Sequence, residues 1–301
     1  MAEKPVNWLP IFGPVTSNGS GRLSYEATAD VDRNIGQPIT AALIRSNKMF
    51  DSGSIRFEVK INAESTRCHV VLNEGRERPI YIGINYGPNP FGAGALVANN
   101  WEWLAGIGWG SAEIDKWIKV EIKVNGSEIT SYIDDVVAFR LFEVISPAPV
   151  SFWMNGVGAC EVRNIVISDN RAKAFVVMQF GDVYDSIYKE VISPLLSEFG
   201  YEAVRADEIH QIGLVIEDIN SSLRQCAVVI ADITPDNPNV YYEVGYAHAL
   251  GKPTILMCDR ARGRLPFDLS GFRTIFYENS IRGKPLVEET LRKHLEKIVR
   301  A

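Results

Sequence analysis

Residues Val228–Met257 read VVIADITPDNPNVYYEVGYAHALGKPTILM. The apolar run Val228–Ala231 closes on a carboxylate, Asp232. The following Thr234-Pro235-Asp236-Asn237-Pro238 cannot continue a strand, because proline lacks the ladder donor. Asn237 ahead of Pro238 predicts a helix start: asparagine accepts from orphan amides, and proline suits the first helical position. A helix is therefore expected over Val240–Leu250, and a second buried strand over Thr254–Cys258. Strand, helix and strand in such close order predict a parallel βαβ unit, whose ligands bind beyond the carboxyl ends of the strands.

The same rule extends outward over the second half of the chain. KAFVVMQF (Lys173–Phe180) is a continuous apolar run, as in a strand covered on both faces. Tyr184, Ile187, Tyr188, Val191 and Leu195 then form one stripe of a helix expected over Val183–Phe199. A short strand at Glu202–Arg205, a helix through Leu214–Leu223, a strand at Arg273–Tyr277 and a helix at Leu286–Val299 complete the alternation. The expectation is an α/β, flavodoxin-like domain over residues 171–301, with a parallel sheet of about five strands.

The first half follows a period of two. Ser54–Ile61, His69–Asn73, Ile80–Tyr86 and Val150–Asn155 are short alternating runs, separated by turn clusters such as GPNPFGAG (Gly87–Gly94). In Trp117–Asp134, WIKVEIKV and SEITSYID flank Asn125-Gly126, a pair favoured in tight hairpins. An antiparallel β-sandwich of jelly-roll type is expected over residues 1–170, so the chain is multidomain. Trp101 and Trp103 alternate, and with Trp109 are expected to pack in the core rather than to stack on sugars. Asp134 and Asp135 lack the further oxygen ligands a calcium site needs.

Composition narrows the function. A net charge of −6 gives no basic face for a nucleic-acid partner. The four cysteines have no metal-ligand spacing, and Cys226 and Cys258 are expected to be buried. The amino terminus shows no signal-peptide pattern, and no apolar run reaches the ~20 residues of a membrane span. A cytoplasmic protein without metal, cofactor or membrane partner is expected.

Glu243, in the opening turns of the Val240–Leu250 helix, and Asp232, at the strand end, are the candidate catalytic carboxylates. A positive helix end favours an ionised glutamate, the form that traps or stabilises an oxocarbenium centre. Asn239 and Tyr242 frame them. A glutamate near a helix start is often merely structural; the combination at one strand–helix junction sets this one apart.

These segments carry a resemblance. AFVVMQFGDVYDSIY (Ala174–Tyr188), VRADEI (Val204–Ile209) and ADITPDNPNVYYEVGYAHALGKPTILM (Ala231–Met257) look like the nucleoside 2-deoxyribosyltransferase-like and TIR-like families. The resemblance implies Glu243 as the catalytic carboxylate and Asp232 as its substrate-holding partner. It also implies a nucleotide pocket lined by Met178, Gln179, Phe180, Gly181 and Asp182, with Arg205 and Asp207 as polar contacts. Val240-Tyr241-Tyr242 stands where TIR enzymes often carry a tryptophan, nearer to the deoxyribosyltransferase-like branch. The hairpin in the first half resembles, more loosely, concanavalin/laminin-G-like sandwiches. The implied activity is cleavage or transfer at the N-glycosidic bond of a nucleotide, with NAD as substrate. The sandwich is expected to sense a small-molecule or carbohydrate ligand, and the family implies a homo-oligomer. The alternatives are a non-enzymatic nucleotide sensor, an enzyme acting on free (deoxy)nucleosides, and a domain that only drives oligomerisation. Phe267 and Asp268 either reach into the pocket from a closing loop or cap the sheet edge.

Overall fold

The computed structural model describes residues 6–18, 21–27, 40–208 and 215–300. Ile209 and Leu214, at the ends of two expected segments, lie outside the described residues. The chain divides into two compact units, one of Met1–Val124 with Ile129–Asn170, the other of Asn125–Glu128 with Arg171–Ala301.

The first unit is a sandwich. Its strands are β1 (Trp8–Phe12), β2 (Val15–Ser17), β3 (Leu23–Glu26), β4 (Ala41–Phe50), β5 (Gly53–Ile61), β6 (Arg67–Leu72) and β7 (Ile80–Tyr86). They continue as β8 (Asn89–Val97), β9 (Asn100–Ile107), β10 (Ile118–Asn125), β11 (Glu128–Ile133), β12 (Val136–Phe142), β13 (Ala148–Asn155) and β14 (Ala159–Asp169). Two seven-stranded antiparallel sheets result, in the orders β1-β4-β13-β6-β7-β8-β9 and β12-β11-β10-β5-β14-β3-β2. Period-two alternation sends Ile55, Phe57, Val59 and Ile61 of one sheet, and Cys68, Val70 and Leu72 of the other, into one core.

Three local expectations change. The two-residue turn of the β10–β11 hairpin is Gly126-Ser127, one residue later than expected, with φ positive at Gly126. Positive φ at the first central residue alone is the II′ pattern. Asp134 and Asp135 both have positive φ and form the I′-type turn from β11 to β12. Asp134 Oδ1 accepts from the Lys119 amide (3.0 Å), so their chemistry is that of a turn. Residues 89–94 of the expected turn cluster are strand, because only Gly87-Pro88 makes the reversal and the glycines lie within β8.

The tryptophans are the larger correction. Trp101, Trp103 and Trp109 are 51%, 60% and 86% exposed. A bulge between Trp103 and Ala105 switches the faces of β9, so Ala105 faces the core while Trp101 and Trp103 share the outer face. Their alternation is real, but the expected side is wrong: a period of two cannot say which face is inside.

The second unit contains β15 (Lys173–Val177), β16 (Glu202–Arg205), β17 (Val228–Asp232), β18 (Thr254–Asp259) and β19 (Thr274–Tyr277). All pairings are parallel, in the order β16-β15-β17-β18-β19. This is the flavodoxin-like 2-1-3-4-5 arrangement, whose switch point lies between β15 and β17. Helices α1 (Asp182–Ile187), α2 (Ser193–Glu198) and α5 (Gly283–Arg300) cover one face; α3 (Val215–Gln225) and α4 (Pro238–Ala249) cover the other. Between α1 and α2 the chain is π-helical over Tyr188–Ile192. Pro194 follows at once and has no N–H to return to the Glu190 carbonyl, which interrupts the regular ladder. Among the described residues, no helix is long and apolar enough to cross a membrane.

Candidate active site at the carboxyl edge of the parallel sheet

The β17–α4 junction forms as its sequence dictates. Asn237 is the N-cap of α4, its side-chain oxygen accepting from the Asn239 amide (3.0 Å), with Pro238 in the first turn. Val240, Glu243, Val244 and Ala247 are the buried residues of α4. Glu243 thus lies on the sheet-facing stripe, at the i+3 and i−4 positions from Val240 and Ala247.

Glu243 is 8% exposed, and among the described residues no side chain or backbone group hydrogen-bonds or ion-pairs with its carboxylate. Burial pushes its pKa up to about 7. This reverses the expectation that the helix terminus keeps it ionised. The dipole acts within the first turn, whereas Glu243 is the sixth helical residue, so desolvation wins. An unpaired buried carboxylate costs several kcal/mol in its charged form, and takes up a proton instead.

Asp232 is differently placed. It is 0% exposed. Oδ1 accepts from the Thr234 amide (2.9 Å) and hydroxyl (2.5 Å), and Oδ2 from the Tyr277 hydroxyl (2.6 Å). Burial raises its pKa, while the Thr234 and Tyr277 bonds oppose the rise. Val228 and Ile230, which share its side of β17, belong to the core beneath α1, α2 and α5. Glu243 belongs to the opposite, α4-covered face. The two carboxylates therefore flank the sheet edge rather than converge on one atom. Asp232 ties the ends of β17 and β19 together and has no exposed surface with which to touch a substrate.

The other expected residues separate into two groups. Met178 is 4% exposed, and its side chain is part of the α1-side core. Gln179 is half-buried, Phe180 is 50% exposed, and Gly181 and Asp182 are exposed at the start of α1. Gly181 has φ 136°, a conformation that disfavours a side chain. Arg205 is buried; its guanidinium grips Asp207 twice (2.7 and 2.6 Å) and Asp185 once (2.7 Å), and faces the rings of Tyr188 and Phe180. It welds the first-strand loop to the segment after β16, and its N–H groups are committed to that frame. Asp207 remains the more accessible member of the pair.

Asn239 is exposed beside the N-cap. Tyr242, 49% exposed, turns off the Glu243 stripe toward α3, stacking on Tyr246 (6.3 Å) and accepting from Asn220 (3.5 Å). His248 packs on Phe272 (4.4 Å). Phe267 is 87% exposed and Asp268 is exposed, so neither reaches inward; Leu269 fills the core instead.

Arg262 escaped the sequence reading. It donates to the carbonyls of Ile233, Thr234 (3.2 Å) and Pro235 (3.4 Å), to the Tyr241 hydroxyl (2.8 Å) and to Asp236. Tyr241 in turn donates to Asp236 (2.6 Å). A basic residue in the loop after β18 thus fixes the loop that precedes α4, a pairing across sequence that no spacing reveals. Among the described residues there is no cluster of metal-ligating side chains.

No protein-family model matches the chain, and no curated protein matches it. Solved structures do, over the sandwich. The carbohydrate-binding module CBM66 from Bacillus subtilis aligns at 10% identity over 52% of this chain and 92% of that one, with a TM-score of 0.42. The Bacillus licheniformis beta-glucanase aligns at 15% identity over 55% and 92%, with a TM-score of 0.39. The Caenorhabditis elegans galectin LEC-6 aligns at 10% identity over 48% and 96%, with a TM-score of 0.32.

Proposed function

We propose that the second unit is an N-glycosidase-type enzyme that cleaves, or transfers across, the bond between ribose and base of a nucleotide. The observation that carries this reading is Glu243, a buried carboxylate without a partner among the described residues and with a pKa near neutrality, on the helix that follows the sheet's carboxyl edge. Such groups cluster at functional sites. The ionised carboxylate stabilises or traps the cationic sugar carbon as the base departs. The proton that Glu243 otherwise holds is lost when a positive charge comes near, since an opposite charge favours the ionised form.

That electrostatic requirement favours NAD over neutral nucleosides, because its nicotinamide ring carries a positive charge while attached. Cleavage gives neutral nicotinamide and, with water as acceptor, ADP-ribose. The half-exposed ring of Phe180 offers a stacking surface at the switch point, and the Arg205–Asp207 pair frames it. Asp232, Thr234 and Tyr277 act as positioning residues that hold the strand ends. The sandwich is a ligand-binding module, for a small molecule or a carbohydrate, that governs turnover; a cell that cannot restrain NAD loss is harmed.

The test is incubation of the full chain with NAD, adenosine and deoxyadenosine, followed by chromatography for released base. Release from NAD supports the reading. Release from the neutral nucleosides alone moves the substrate to that class, and NAD retained without cleavage favours a nucleotide sensor.

A further inference from the structure

The outer face of the sheet containing β6, β7, β8 and β13 carries a groove that the nucleotide chemistry does not use. It encloses about 310 Å³, at the lower end of ligand-pocket sizes. Register sets Trp153 and His69 side by side at its floor. One row across the sheet runs Trp153, His69, Gly83, Gly92, Gly106 on five successive strands. Tyr86 and Asn89 take up the space over Gly92 and Gly106, so the groove is bounded by Tyr86, Trp101 and Trp153 and not by the glycine row. A Cβ on Gly94 would stand 1.7 Å from the Tyr86 hydroxyl, so that glycine lets the Tyr86 ring lie flat along β8.

The walls are aromatic. Trp101 meets Trp153 at 5.9 Å and 48°, and Tyr86 at 6.2 Å and 72°. These rings are tilted rather than paired in parallel, so they offer faces to the C–H surface of a ring lying against them and do not clamp a flat base between them. His69 is the second, independent observation. It is 1% exposed, stacks on Trp153 at 5.6 Å and lines the groove; the backbone of Ile84 and Asn85 lies beside its ring, yet neither ring nitrogen makes a well-formed hydrogen bond among the described residues. A buried neutral imidazole presents one donor and one acceptor, and a buried group left poorly matched costs free energy. Asn155, at the same wall, has a buried side-chain oxygen without a partner among the described residues. Ring faces beside unpaired donors and acceptors match a sugar, apolar on its faces and hydroxylated at its rim.

Charge narrows the class. Arg67 is exposed at the groove and makes no ion pair among the described residues, and no carboxylate lines the groove. With no carboxylate among its described lining residues, the groove lacks the pair that two-carboxylate glycoside hydrolysis needs. A free guanidinium pairs best with a carboxylate, in a fork geometry. We infer that this groove binds a saccharide bearing a carboxylate, with Trp101 and Trp153 under the ring, His69 and Asn155 on its hydroxyls and Arg67 on its acid group. The inference rests on reading the sandwich as a ligand-binding module and is independent of Glu243.

The experiment titrates the full chain with glucuronic-acid-containing and sialylated oligosaccharides and with their neutral counterparts, following tryptophan fluorescence. Arg67→Gln and Trp101→Ala, both exposed positions, are run alongside with thermal melts to confirm folding. Expected are saturable binding of the acidic sugars, at least tenfold weaker binding in Arg67→Gln, and no detectable binding in Trp101→Ala. Equal binding of neutral sugars, unaffected by Arg67→Gln, overturns the acidic class while leaving a sugar-binding sandwich. No binding of any sugar, with all melts normal, overturns the groove as a saccharide site.

Discussion

Glu243 concentrates the account in one side chain. Its pKa lies near 7 when folded, against 4.5 for an exposed glutamate. The folded state therefore holds a proton that the unfolded state has released between those values, and stability falls as pH rises through that window. The loss amounts to about 3 kcal/mol at most, from the 1.36 kcal/mol of each pH unit. Asp232, also raised by burial, adds to the same trend. Denaturant titrations from pH 4 to 8 should show a steeper decline for the native chain than for Glu243→Gln. Equal slopes would mean that Glu243 titrates like a surface residue. The same proton controls turnover: kcat/KM should climb with pH and level off above about 7, reporting the free enzyme's essential base. A flat profile across that range would remove Glu243 from the chemistry.

At the scale of elements, the carboxyl edge is held by polar ties rather than by packing alone. Tyr277 closes β19 onto Asp232, and Arg262 staples the loop ahead of α4. Tyr277→Phe leaves a buried carboxylate oxygen unmatched, so a loss of about 1–3 kcal/mol is expected in thermal or urea unfolding. If Asp232 instead met substrate directly, the same variant would raise KM with little change in stability. In the sandwich, Gly94→Ala should destabilise the fold and displace Tyr86, visible as a lowered melting temperature. Much of this scale was legible in the sequence. The alternation of Ile80–Tyr86 and the cap at Asn237-Pro238 are local patterns, and they formed where expected. Glu243 was legible too, because a strand end, a cap and a carboxylate fall within a dozen residues. Arg262 and Tyr277 were not, since each acts on a segment more than twenty residues away in sequence. The opposite facing of Asp232 and Glu243 was also hidden, because it follows from which helices cover which side of the sheet.

Across the molecule, two units carry separate cores, with Phe57 and Phe152 in one and Ile230 and Met257 in the other. Calorimetry should resolve two unfolding steps, and the pH-dependent shift attributed to Glu243 should appear in only one of them. A single transition moving as a whole would show that the cores unfold as one. The outward tryptophans show the limit of sequence reading at this scale: alternation defines a face, and only the partner sheet decides whether it is covered. The measurement that bears most directly on the central claim compares the native chain with Glu243→Gln, incubated with NAD and analysed by chromatography for nicotinamide, with melting curves to confirm both are folded. The account predicts nicotinamide from the native chain and none above background from the variant. Equal release from both would contradict it.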